Sequence, residues 1–157
     1  MKVLILIALC CFTAQAQYKI ESNYDRFTDQ TTVRAFYFHV GTSRDRTINL
    51  EAYYVYRGNG ERPELPTAAA LRFISGGNVS FMERPTLFVL ADERRHQFSR
   101  LPGEYSKNIA TFIIPWGDFQ NLLDSKHLEM RVGQEETDLS KETLKGLREF
   151  AERKVSP

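Results

Sequence analysis

The chain has 157 residues, of which 42% are hydrophobic and 26% are charged, and its formal net charge at pH 7 is +1. This length suits one domain with a full hydrophobic core. The balanced charge gives no general attraction to nucleic acid or to an anionic membrane, so we expect a protein or a small ligand as the partner.

Residues 1–16 have the features of an export signal. Lys2 supplies a positive charge, residues 3–12 are apolar, and small residues precede a cleavage point after Ala16. We therefore expect a signal peptide that is removed. Residues 17–157 would then form a single β-rich globular domain that is secreted or periplasmic.

Both cysteines of the chain lie inside this segment. A lipoprotein signal acylated at Cys10 or Cys11 and a retained anchor are the alternatives to cleavage, although the apolar run is short for a membrane span. After cleavage the chain would have no stable membrane span, no disulfide, no thiol nucleophile and no thiolate metal site. Export without a cysteine in the mature chain favours a bacterial protein.

The first half of the domain predicts antiparallel strands. Tyr24 and Phe27 are interpreted as apolar anchors among turn-forming residues. Residues 31–40 are rich in β-branched and aromatic side chains, which favour a strand. In residues 48–56, apolar side chains occupy every second position, which predicts a strand with one apolar face. Residues 58–66 contain two glycines and two prolines and indicate a loop.

The middle of the chain predicts four further strands. Residues 69–75 form one of them. Residues 86–91, TLFVLA, are continuously apolar and predict a central strand that is covered on both faces. Residues 92–94 are a plausible hairpin turn into a strand at 95–101, and residues 104–114 predict another strand.

The last third begins with a predicted short helix at residues 116–124, whose apolar side chains share one face. Residues 128–132 alternate between apolar and charged side chains, which predicts a half-buried strand. Gly133 permits a tight reversal, and residues 135–139 can return beside that strand.

A C-terminal amphipathic helix is predicted at residues 141–154. Ser140 can cap this helix, since its hydroxyl can accept from a free backbone N–H of the first turn. Its apolar stripe consists of Leu144, Leu147, Phe150 and Ala151. The stripe must be buried against a sheet. The fold class we predict is mainly β with α: an antiparallel β-sandwich or a partly open barrel.

Several segments resemble a family of uncharacterised secreted bacterial proteins. They are residues 24–29 with 31–33, the hairpin at 86–98, and residues 131–133 followed by an acidic stretch, Leu139, Ser140, Leu144, Leu147 and Phe150. The resemblance extends over most of the mature chain. It implies a β-sandwich with a C-terminal helix, and it implies no activity and no functional residue.

No motif in the sequence predicts chemistry. His39, His96 and His127 lie in different predicted elements and lack the spacing of paired metal ligands. The serines lack a nucleophile elbow, and the glycine-rich turns lack the lysine of a phosphate loop. The acidic run at 135–138 lacks the ligand order of a calcium loop. We expect no catalytic residue, no metal and no cofactor.

The aromatic strands are the strongest candidates for a binding surface. Tyr53, with Tyr37 or Arg57, could line an exposed surface for a sugar, a peptide or an apolar ligand. The alternative, which we favour, is that one face of these strands is core and the other packs under the helices or the loop at 58–66.

Arginines are frequent around the hairpin that follows residue 91. Arg94, Arg95 and Arg100 could form an anion-binding edge. The alternative, which we favour, is a charged edge that prevents strand-to-strand aggregation.

Three functions remain open, and the first is preferred. A non-enzymatic interaction or binding module predicts a filled core and an exposed Tyr53 surface. A carrier of a small apolar ligand predicts a cavity between the sheets, lined by Tyr54, Phe73 and Phe112. If the protein is an enzyme, we expect His96 to lie next to a buried carboxylate.

Overall fold

Two antiparallel sheets form the body of the protein. The computed structural model describes residues 18–43, 46–60, 65–77, 81, 86–102 and 106–153. Within these residues the elements are, in chain order, β1 (Lys19–Asp25), β2 (Gln30–Ser43), β3 (Arg46–Arg57), β4 (Ala68–Gly77), β5 (Thr86–Ala91), β6 (Arg94–Ser99), β7 (Ile109–Pro115), α1 (Trp116–Leu123), β8 (Leu128–Val132), β9 (Glu135–Asp138) and α2 (Lys141–Glu152).

The larger sheet has five strands in the order β1-β2-β3-β4-β7, and every neighbouring pair is antiparallel. Its inner face carries alternate residues of each strand, because successive side chains of a strand point to opposite faces. In β3 the buried side chains are Ile48, Leu50, Ala52 and Tyr54. This burial confirms the alternation predicted for residues 48–56.

The smaller sheet has four strands in the order β6-β5-β8-β9. Its inner face carries the apolar side chains Leu87, Val89, Leu128, Met130 and Val132. The two sheets are linked where β6 ends, since Arg100 pairs with Phe112 of β7 and the Leu101 amide donates to the Thr111 carbonyl at 2.7 Å. The described strands do not close into a barrel, so the predicted β-sandwich is the architecture found.

Both predicted helices are present. α1 buries Trp116, Phe119, Leu122 and Leu123 on one side. α2 begins after Ser140, whose hydroxyl accepts from the Thr143 amide at 3.1 Å, as expected for an N-cap. The predicted stripe of α2 is buried. The helix ends at Glu152, two residues before the predicted end, and residue 154 lies outside the described residues.

Aromatic rings fill the space between the sheets and the helices. The Phe150 ring lies 5.1 Å from the Tyr54 ring and 6.2 Å from the Phe119 ring, measured between centroids. Tyr54 also contacts Trp116, with centroids 5.3 Å apart. Rings at these separations and tilted angles make favourable contacts in addition to the apolar area that they bury. The core therefore lies where α1 and α2 meet β3.

α2 also binds the beginning of the described chain. The Tyr18 hydroxyl donates a hydrogen bond to the Glu149 carboxylate, and this bond, with burial and the nearby negative charge, raises the pKa of Tyr18 to about 12. Nη1 of Arg153 donates to the Ile20 carbonyl at 2.7 Å. These contacts hold the last helix against the edge strand β1.

Two sequence predictions about exposure are wrong. β5 is the central strand that was predicted, but it is covered on one face only, and Phe88 is 38% exposed on the other. Phe27 is 85% exposed and does not anchor its turn, whereas Tyr24 is half-buried. The signal peptide predicted at 1–16 and part of the loop predicted at 58–66 lie outside the described residues. Among the helices that are described, none is long and apolar enough to span a membrane.

Gly146 marks the closest approach of α2 to the larger sheet. A Cβ atom at this position would lie 2.6 Å from Cε1 of Phe38 and 2.9 Å from two ring atoms of Tyr18. The Tyr18 and Phe38 rings are stacked, with centroids 5.5 Å apart, so neither ring can move alone. The helix therefore needs a residue without a side chain at this point.

We predict that Gly146→Ala destabilises the fold, although alanine is the better helix former. Overpacking of this kind costs about 1–3 kcal/mol. The matched control is Gly117→Ala in α1, where an added Cβ would have no neighbour within 4 Å. This control should leave stability unchanged or raise it by about 0.5–1 kcal/mol. Urea unfolding of the two variants measures the difference, and equal effects would contradict the close packing of α2.

Candidate functional site

A groove lies on the outer face of the smaller sheet. Its volume is about 700 Å³, within the range of about 300–1,000 Å³ that is usual for ligand pockets. Strand pairing arranges its side chains in two rows that cross the strands. One row is Arg95, Leu90, Glu129 and Asp138, and the other is Gln97, Phe88, Arg131 and Glu136.

The floor of this groove is apolar because β5 is apolar at every position after Thr86. Leu87, Val89 and Ala91 point into the core, so Phe88 and Leu90 must point outward. Phe88 remains 38% exposed and Leu90 is half-buried. Two large apolar side chains side by side in a depression form a patch that excludes water readily when it is covered.

Arg131 joins the apolar floor to the charged side of the groove. Its guanidinium carbon lies 4.7 Å from the centre of the Phe88 ring, which is within cation–π distance. Its Nη1 atom lies 3.3 Å from Oε1 of Glu136 on β9. Both contacts are partly open to solvent, so each contributes little to stability. Together these two contacts place the Arg131 guanidinium beside the Phe88 ring, where it extends the floor of the groove.

His127 lies next to the groove and contacts two of the carboxylates that line it. Its Nε2 atom lies 2.9 Å from Oε1 of Glu129, and its Nδ1 atom lies 3.5 Å from Oδ1 of Asp138. With Glu136, these residues place three carboxylates and the single guanidinium of Arg131 on the β8–β9 side. That side of the groove is therefore acidic.

The opposite rim, on β6, carries Arg95 and Gln97. Among the described residues no ion pair involves Arg95. The anion-binding edge considered for Arg94, Arg95 and Arg100 is not assembled, because Arg94 and Arg95 point to opposite faces of β6. Arg100 instead donates to the backbone carbonyls of Ser106 and Ile109. The groove thus has a basic rim, an apolar floor and an acidic rim.

The turn between β5 and β6 positions the acidic side. Asp92 (φ 51°) and Glu93 (φ 102°) both adopt left-handed backbone conformations. The Asp92 carboxylate accepts hydrogen bonds from the Lys126 amide at 3.0 Å and from the His127 amide at 2.9 Å. These bonds lower the pKa of Asp92. The turn thereby holds Lys126 and His127, the two residues that precede β8, in place.

Two of the residues predicted to line a binding surface, Tyr53 and Arg57, lie on β3 of the larger sheet, and each contacts a different neighbour. Tyr53 is half-buried, and the Arg72 guanidinium lies 5.0 Å from its ring centre. Arg57 is four residues further along β3, about 13 Å away, and pairs with Asp29 at 3.3 Å. Tyr37 lies in β2, and its side chain is outside the described residues.

The described residues contain no group of three or more histidine, cysteine or acidic side chains placed to hold a metal ion. The His96 ring is stacked on Phe98, with centroids 6.4 Å apart. None of the described carboxylates is buried. Tyr54, Phe73 and Phe112, which would line a carrier cavity, are instead packed in the core, and the last two rings are 5.9 Å apart. This arrangement is suited to surface binding.

Sequence reasoning missed Phe88, Leu90, Glu129 and Arg131 as candidate site residues. Charged outward positions were already visible in the predicted strand at 128–132. An apolar run reads the same whether one or both faces are covered. The pairing of β5 with β8 brings an apolar face beside a charged one, and local pattern does not reveal that pairing.

We predict that Asp92→Ala destabilises the fold near neutral pH, since it removes the acceptor for two backbone amides. Because the pKa of Asp92 is lowered in the folded state, its carboxylate stabilises the fold at pH values above the usual pKa of 3.8. That stabilisation is lost as the pH falls through the lower, folded-state pKa. The difference between the wild type and Asp92→Ala should therefore shrink in acid. Glu93→Ala, in the same turn, is the control and should show a much smaller difference at both pH values in denaturant melts.

No protein-family model matches the sequence, and neither a curated protein nor a solved structure matches it significantly. The resemblance to secreted bacterial proteins therefore stays a prediction. We therefore base the proposed function on the groove and the residues around it.

Proposed function

We propose that the protein is an exported, non-enzymatic binding module whose contact surface is the groove of the smaller sheet. The observation that carries this proposal is the row arrangement of the groove: an apolar floor of Phe88 and Leu90 between a basic rim and an acidic rim. Such a surface offers apolar contact for affinity and opposite charges for orientation.

The filled interior supports a binding module over a carrier. Tyr54, Phe73 and Phe112 are buried, Phe73 against Phe112 and Tyr54 against Trp116 and Phe150, so an apolar ligand would have to displace core side chains to lie between the sheets. The exposure of the described carboxylates also favours binding over acid–base catalysis, because burial is what raises a carboxyl pKa toward neutrality.

The chemistry of the groove selects a class of partner. Phe88 and Leu90 suit an aromatic or aliphatic side chain. The acidic side, with Glu129, Glu136 and Asp138 against Arg131, suits a cation placed next to it. We propose that the partner is a protein segment in which a basic residue adjoins an aromatic one.

This function can be tested with capped Gly-Arg-Phe-Gly and Gly-Glu-Phe-Gly peptides, titrated into the isotope-labelled protein and followed by NMR. We expect the arginine peptide to shift amide resonances of β5 and β8, with a dissociation constant on the order of 1 mM. The glutamate peptide should bind more weakly, because it places a carboxylate beside the acidic rim.

Phe88→Ala should abolish these shifts. The matched control is Ile113→Ala, which removes an apolar side chain of similar exposure (42%) from the outer face of the larger sheet. Shifts that map away from β5 and β8, or that survive Phe88→Ala, would refute the groove as the contact surface.

A further inference from the structure

The turn that joins β1 to β2, residues 26–29, projects an aromatic side chain into solvent. Phe27 is 85% exposed, which is the largest exposure of any bulky apolar side chain among the described residues. A benzyl group left in water forgoes the stabilisation that its burial would contribute. The exposed Phe27 side chain contributes little to the stability of the fold, but it is well placed to enter a pocket on another surface.

The turn is held rigid by its own side chains. The Asp25 carboxylate accepts from the Phe27 amide at 2.8 Å and from the Thr28 hydroxyl at 3.0 Å. These bonds lower the pKa of Asp25, so the carboxylate is charged and accepting at neutral pH. Phe27 is therefore presented in one backbone geometry.

The far side of the turn is fixed to the sheet. Asp29 adopts a left-handed conformation (φ 52°) and its carboxylate accepts from the Tyr24 hydroxyl at 3.1 Å and from Nε of Arg57 at 3.3 Å. Its carbonyl accepts from the Gly58 amide at 2.9 Å. A preorganised turn loses little conformational entropy when it binds, which favours its use as an anchor.

Arg26 gives the turn a cation beside its aromatic ring. The guanidinium carbon lies 4.9 Å from the centre of the Phe27 ring. A guanidinium in contact with a ring still has N–H groups that can donate to a carboxylate. Arg26 and Phe27 thus form the basic-plus-aromatic pair that the groove is suited to bind.

We propose that the turn at residues 26–29 of one copy of this chain binds in the groove of a second copy. Phe27 would lie on Phe88 and Leu90, and Arg26 would face the carboxylates of Glu136 and Asp138. This inference rests on the proposed function of the groove and names its partner. It follows from complementarity of both apolar surface and charge between two sites of the same molecule.

The topology requires that these contacts be made between copies. The turn belongs to the larger sheet, where Arg57 fixes it to the end of β3, while the groove is on the face of the smaller sheet that points away from the core. Each copy keeps one free turn and one free groove after pairing. Such a contact is heterologous and propagates into chains or rings. Because a hairpin turn buries little area, the association is weak.

Sedimentation of the purified protein over a concentration series tests this proposal. We expect the average mass to rise with concentration as dimers and longer chains form. Phe27→Ala and Phe88→Ala should each weaken association by about thirtyfold, as expected when an aromatic hot-spot anchor is truncated. Ile113→Ala is the control and should associate like the wild type. A protein that stays monomeric up to about 1 mM, or whose association survives either phenylalanine change, would overturn the proposal.

A mixing experiment distinguishes this contact from a symmetric one. Phe27→Ala keeps an intact groove and Phe88→Ala keeps an intact turn, so the mixture should form a one-to-one dimer and nothing larger. Arg26→Glu should also be monomeric, and a chain that carries both Arg26→Glu and Glu136→Lys should associate again. No dimer in the mixture, or a double variant that stays monomeric, would overturn head-to-tail binding.

The two proposals fail in different ways. If the arginine peptide shifts β5 and β8 while the wild-type protein stays monomeric, self-association is wrong and the groove keeps its proposed function. If the peptide leaves β5 and β8 unshifted and the phenylalanine changes do not alter sedimentation, both proposals are wrong.

Discussion

The apolar stripe of α2 lies across the larger sheet, and its Phe150 ring contacts both Tyr54 of β3 and Phe119 of α1. Phe150 and Tyr54 thereby join the larger sheet, the first helix and the last helix in one cluster of rings. Gly146 sets how close this helix approaches β2, since Phe38 and Tyr18 occupy the space that a larger residue would need. The outer face of the smaller sheet takes no part in this packing, and its Phe88 side chain meets solvent.

Local pattern was sufficient to predict most of the elements, because strands and helices impose periods that apolar residues must follow. It did not predict β1, since residues 17–23 are mostly polar and show no strong pattern. Residues 48–56 and 128–132 alternate in the sequence and in the structure, and Ser140 caps α2 as its position predicts. The groove was not predictable in the same way. It depends on β5 pairing with β8, about 40 residues later in the chain, and pairing over such a distance leaves no periodic signal in either strand.

Exposure was also hard to predict for apolar residues that lie outside the core. The sequence predicts that Phe27 is an apolar anchor. In the structure its side chain points outward from a turn that is fixed by hydrogen bonds to the carboxylates of Asp25 and Asp29. Tyr53 and Arg57 both lie on β3, yet each is engaged by a neighbour, Arg72 in one case and Asp29 in the other. Candidate surfaces chosen by residue type alone miss such partners, because side-chain pairing is decided by the fold.

The contacts between α2 and the first described residues have a consequence for the order of folding. Tyr18 binds Glu149, and the Ile20 carbonyl accepts from Arg153, so residues that are about 130 positions apart contact one another. Contacts of such high sequence separation form only after the entropy cost of closing the intervening chain has been met. Until α2 packs, the ring cluster around Tyr54 lacks Phe150, and this part of the core stays open. Completion of the core therefore depends on an element that lies far along the chain from the strands that it covers.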